Sequence, residues 1–162
     1  MGNAYLYRMP SGIPGDVSRK SHSTIESHPI GSQFAAFGLF GKIDPATSKF
    51  VALEAADTVA KIYGLLVRAY PTQSAQNELG KAVPLATGIT DVLRRGYMTV
   101  KCNAGTAAKG GTVYVRIGAG TEAKPVGGIE AVADGANSIA LPSAIFMHAA
   151  DAQGNVEISY NI

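Results

Sequence analysis

From Phe34 to the C-terminus, turn residues cut the chain into short apolar runs, and in several of these apolar and polar side chains alternate strictly. A repeat of two is the period of a strand with one face buried. In NVEISYNI, Val156, Ile158, Tyr160 and Ile162 share one face, and Asn155, Glu157, Ser159 and Asn161 share the other. GYMTVKC sets Met98, Val100 and Cys102 against Tyr97, Thr99 and Lys101, and TVYVRI sets Val113, Val115 and Ile117 against Thr112, Tyr114 and Arg116. The segments NAGTAAKGG, ADGAN and DAQGN between the runs carry the residues that reverse a chain. About eight or nine short strands at this spacing predict a mainly β domain, a sandwich or a barrel, over residues 34–162. Helix is scarce: one or two turns are expected between Ser74 and Leu79, with Gly80 as the stop.

Residues 1–33 differ. PSGIPGDVSRKSHSTIESHPIGSQ holds Pro, Gly and Ser throughout and no sustained period, so it is expected to be an extended N-terminal arm. Its start is adhesive: Tyr5, Tyr7, Arg8 and Arg19 are residue types that anchor interfaces, and Leu6 and Met9 add apolar surface. Such an arm predicts binding to a partner.

Several chemistries are disfavoured by missing context. GAGTEA, residues 118–123, fits the glycine pattern of a dinucleotide turn, but Pro125 and the strand-like VGGIEAVA follow where a phosphate-binding helix is required. It is expected to be a turn between strands. FGKI and LGKA lack the preceding glycine and the following Ser or Thr of a phosphate loop, and no nucleophile elbow occurs. His22, His28 and His148 show no metal-ligand spacing. Cys102 and His148 make a conceivable nucleophile and base, but alternation puts the thiol on an apolar face, where inert packing is the rule. The twelve acids form no hydrolase signature. The expectation is a protein that is not an enzyme, with no catalytic residues, cofactor or metal.

Charge is low, with 16% charged residues and a net charge of +2, too little to argue for nucleic acid. All fourteen Lys and Arg lie at or before Lys124 with eight acids, leaving that part at +6 and the remainder at −4. Arg94 and Arg95 sit in VLRRGYMTVK as a charged strand edge that deters stray pairing or meets an acidic partner. The single cysteine, the absence of an apolar signal core at the N-terminus and the absence of a membrane-length run predict folding in a cytosol and no membrane association.

Whole phrases of the chain, AYLYRMPSGIPGDVSR, YGLLVRAYPTQS, DVLRRGYMTVKCNAGTAAKGGTVYVR and GNVEISYNI, resemble the capsid cement, or decoration, proteins of tailed bacteriophages and prophages. The resemblance implies a jelly-roll-like β-sandwich or barrel that binds the outer surface of the phage head as a small homo-oligomer. Its partners would be the major capsid protein and neighbouring copies of itself. Such a protein would be made and assembled in the bacterial host cytoplasm and end in the virion. Tyr5, Tyr7, Arg8, Arg19, Arg94 and Arg95 are the interface candidates. A non-enzymatic ligand- or glycan-binding β-module is the alternative, and its mark would be a concave site with stacked aromatics.

Overall fold

The computed structural model describes residues 12–69 and 83–162, and among them the regular structure is nine strands and three single-turn 3₁₀ segments. The strands are β1 (Thr24–Pro29), β2 (Phe40–Ile43), β3 (Phe50–Ala52), β4 (Gly64–Leu66), β5 (Ile89–Lys101), β6 (Thr112–Arg116), β7 (Ile129–Glu130), β8 (Ser138–Phe146) and β9 (Asn155–Tyr160). Every strand pairing is antiparallel, in the order β3-β2-β4-β5-β9-β8-β6-β7, with β1 added on β5. The sheet curls on itself into a half-barrel, so the expectation of a mainly β sandwich or barrel holds. The expected turns at Ser74–Leu79 lie outside the described residues.

β5 organises the sheet. Its first half lies between β1 and β4, with Leu93 opposite both Ile25 and Leu65, and its second half pairs with β9 from Gly96↔Tyr160 to Lys101↔Asn155. The change falls at Gly96, whose φ of 138° and tight approach to Ser23 leave no room for a Cβ. Two residues earlier the pairing with β1 slips, so that Arg94 is extra on β5 and forms a bulge.

Alternation on β4 and β5 feeds two cores. Leu65 and Leu93 join Met98, Val100, Val113, Val115, Phe146, Val156 and Ile158 in the larger one. Their neighbours Leu66 and Val92 turn to the opposite face, where Phe34, Phe37 and Phe50 close a smaller core. Phe34 stacks on Phe50 with ring centroids 5.1 Å apart. FAAFGLFGKI is therefore a strand only from Phe40; its first residues form an irregular cover that inserts Phe34, Phe37 and Leu39. NSIALP and AIFMHAA, two runs in the sequence, fuse into β8. Pro142 sits where β8 bulges against β6, a place that needs no ladder N–H.

The polar faces read from alternation are only partly solvated. On β9, Glu157 and Ser159 are buried as well as Val156 and Ile158, whereas Ile162, grouped with the latter by period, is exposed. On β6, Arg116 is 2% exposed. These departures lead to the charged contacts below.

Candidate functional site

The root of the N-terminus lies on the body. Gly15 N–H donates to Thr99 O (2.8 Å), Thr99 N–H to Asp16 O (2.9 Å) and Ser18 N–H to Tyr97 O (3.1 Å), so residues 15–18 pair with the second half of β5. Val17 bridges Met98. Gly15 threads a gap between Phe37 and Arg68 that a Cβ would close, at 2.5 Å from Phe37 Cβ. Arg68 Nε donates to Pro14 O (3.0 Å) from the other side. Arg19 then clamps Glu157 through Nε–Oε1 (3.1 Å) and Nη2–Oε2 (2.7 Å), and Ser18 Oγ donates to Oε1 (2.6 Å). The Arg19 guanidinium also stacks 4.1 Å from the Tyr97 ring centroid. Burial raises the energy of the Glu157 carboxylate, yet the contacts from Arg19 and Ser18 outweigh it and hold its pKa below the ordinary range. Glu157 is thus buried by residues 138 and 139 positions away, which is why both faces of β9 are covered.

A second polar group forms at the bulge. Bulging re-aims Arg94 across the sheet, 3.7 Å over the Tyr63 ring and 3.6 Å (Nε) from Glu26 Oε2. Tyr63 O–H donates to Glu26 Oε2 and lies 3.0 Å from His28 Nε2. The Tyr63 and Arg94 contacts help hold the Glu26 carboxyl below its usual range. β1, Tyr63 and β5 are thereby tied together.

The third group is internal. Arg116 Nε donates to Glu130 Oε1 (2.6 Å), Nη2 to Asp134, and Nη1 to the carbonyls of Gly118 and Ala119 at 3.1 and 3.4 Å. The glycine-rich turn that resembles a dinucleotide loop therefore aims carbonyls at a guanidinium of its own chain, and loop rather than helix follows it. Gly127, at φ 81°, brings that loop against Phe40, whose N–H donates to Gly127 O (2.9 Å).

Among the described residues, no cluster of His, Cys, Asp and Glu has metal-binding geometry. Cys102 Sγ donates to Ala104 O at 3.3 Å, and burial pushes its thiol pKa up, away from a reactive thiolate. Among the described residues, a groove of about 760 Å³ runs along β2 and β3. Its Lys42 is neutralised by Glu54 (2.9 Å) and Asp57 (2.8 Å), and Tyr63 is its one aromatic, with that ring under Arg94. It offers no stacking platform for a sugar.

The six residues singled out from sequence thus separate. Arg19 holds the root of the N-terminus, Arg94 holds the bulge, and Arg95 is exposed opposite Thr24 at the start of β1. Tyr5, Tyr7 and Arg8 lie outside the described residues. Sequence reasoning missed Glu157, Glu26, Tyr63, Arg116 and Glu130. Their partners are distant in the chain, so no local pattern in the sequence marks them.

The comparison with curated proteins found no match. Among solved structures, the chain is similar to a chain in the capsid of Myoviridae phage XM1, with a TM-score of 0.68 and 19% sequence identity, covering 99% of this chain and 97% of that one. At that identity the likeness is one of fold. The family model described as XM1 gp53 minor capsid protein matches residues 2–160. The chain therefore belongs to the XM1 gp53 minor capsid protein family, a tailed-phage family whose role is structural and capsid-associated.

Proposed function

We propose that the protein is a cement, or decoration, protein that binds the outer surface of a tailed-phage head and stabilises contacts between capsomers without catalysis. The observation that carries the reading is the family match over residues 2–160. The fold supplies a mechanism. A curled sheet with two packed cores is a stiff body, and the root of the N-terminus is fixed to it by the β5 pairing and the Arg19–Glu157 clamp. Residues 1–11 therefore start from a defined point, which raises their effective concentration at a neighbouring subunit. In this reading the shell protein and neighbouring copies of the chain are the partners. Tyr5, Tyr7, Arg8 and Arg95 make contacts, while Arg19 and Arg94 shape the surface that presents them. In this reading the arm is residues 1–33, and β1 is the part of it that joins the sheet.

The test is sedimentation of the purified protein with mature, DNA-free heads that lack it. Saturable co-sedimentation at fixed stoichiometry, with heads that then survive higher temperature, is the expected result. Protein that stays in the supernatant at every concentration refutes the reading.

A further inference from the structure

Sheets end in edges, and this one covers most of its own. At β3, Gly31 N–H donates to Phe50 O (2.8 Å) and Ala52 N–H donates to Ser32 Oγ (2.8 Å). At β7, Asn103 N–H donates to Ile129 O (2.7 Å) and Ala104 O accepts from Ala131 N–H (2.8 Å). The second half of β5 is covered by residues 15–18. β1 is different: its backbone pairs with β5, and no described residue bonds its other edge. An open edge of six residues is a template for one more strand.

We infer that this edge accepts the N-terminal segment of a second copy, with Tyr5–Met9 as the added strand. The inference rests on the cement reading only in taking neighbouring copies as partners. Three observations select this occupant. The first is pattern. Tyr5, Tyr7 and Met9 alternate with Leu6 and Arg8, which is a strand period free of proline until Pro10. The second is complementarity. Along β1, Ile25 shares a face with Ser27 and Pro29, and Ile89, 78% exposed, lies opposite Pro29 on β5. The row of Tyr5, Tyr7 and Met9 covers Ile25 and Ile89 on that side, where Ser27 is already satisfied by Asp91 at 2.6 Å, and leaves Arg8 on the side of Glu26. The third is reach. Gly12 lies against Thr99, and a Cβ there would be 3.2 Å from its Oγ1. β1 runs opposite Arg95 to Ile89, four to ten residues further along β5, or roughly 13 to 33 Å at a strand's rise. Met9 to Tyr5 of the same chain reach roughly 10 to 24 Å from Gly12, so they cover at most the first half of β1, and only if the chain doubles back. A second copy's segment has no such limit.

The experiment measures self-association by sedimentation equilibrium, without heads, so that its failure is separate from a failure to bind the shell. The full chain is compared with a variant lacking residues 2–11, which keeps the acceptor edge, and with Ile25→Lys, which keeps the donor segment. Thermal melts establish that each is folded, and Ile89→Lys replaces Ile25→Lys if the latter is not. The expected result is self-association of the full chain, weakened at least ten-fold in each variant alone. A mixture of the two variants restores a one-to-one complex. Undiminished association of the truncated variant overturns the inference, as does a mixture that fails to associate. A full chain that stays monomeric while its truncated form binds a peptide of residues 1–11 assigns the edge to the chain's own segment, and also overturns it.

Discussion

Replacing Arg116 by Met tests whether the buried ion group holds the β6–β7 region together. The guanidinium and the Glu130 carboxylate are both almost wholly buried, and Glu130 Oε2 has no hydrogen-bond partner among the described residues. Loss of the cation leaves that carboxylate buried beside apolar neighbours and frees the carbonyls of Gly118 and Ala119. Breaking a buried pair from one side costs about 3–5 kcal/mol. For a chain of this size each kcal/mol moves Tm by roughly 2–4 °C, so Arg116→Met is expected to melt about 6–20 °C lower. The double variant Arg116→Met/Glu130→Met removes the orphaned charge as well, and replacing a buried pair by apolar side chains is often nearly neutral. It is expected to recover more than half of the loss. Urea unfolding followed by circular dichroism, with equal slopes for all variants, gives the free energies. A single variant within about 1 kcal/mol of the parent, or a double variant no more stable than the single, refutes the argument.

Three further outcomes follow from the geometry. The Glu157 carboxyl has a folded pKa below its ordinary 4.5, so its contribution to stability is present above that value and lost as pH falls through the folded value; the protection of the Thr99 amide, the slowing of its exchange relative to an unstructured chain at the same pH, should fall on acidification below about pH 4.5 and be already low in Glu157→Gln at neutral pH. At a dilution where the full chain is dissociated, deletion of residues 2–11 should leave Tm unchanged, whereas deletion of 2–20 removes the β5 pairing and the Arg19 clamp and should lower it measurably by calorimetry. Phe34→Ala empties a fully buried site stacked on Phe50 and should cost about 3–5 kcal/mol in urea unfolding.

The strands that the sequence displays openly are those with one plain periodicity. β9 and the second half of β5 are legible because Val156, Ile158, Met98 and Val100 recur every second residue against the main core. What alternation hides is the second cover. Thr99 and Glu157 look solvent-facing in the sequence, and they are buried because Gly15–Arg19 lies across them. Arg116 reads as the polar side of β6, and only the return of the chain at Glu130 and Asp134 shows that side to be interior. The irregular run of Phe34 and Phe37 carries no strand signal of its own, since those rings close a core laid down by β3, β4 and β5. Arg19 and Arg94 stand out in the sequence as cations, but their partners within the chain, Glu157, Tyr97, Glu26 and Tyr63, are set by tertiary approach.

The antiparallel pairing of residues 15–18 with β5 has a mechanical consequence. A pull on the N-terminus along the strand direction loads the three backbone bonds and the Arg19–Glu157 pair together. The same pull at right angles to the sheet opens them one at a time, starting at Gly15. The attachment therefore resists a pull along the sheet far better than it resists lifting, so its strength has a direction built into it.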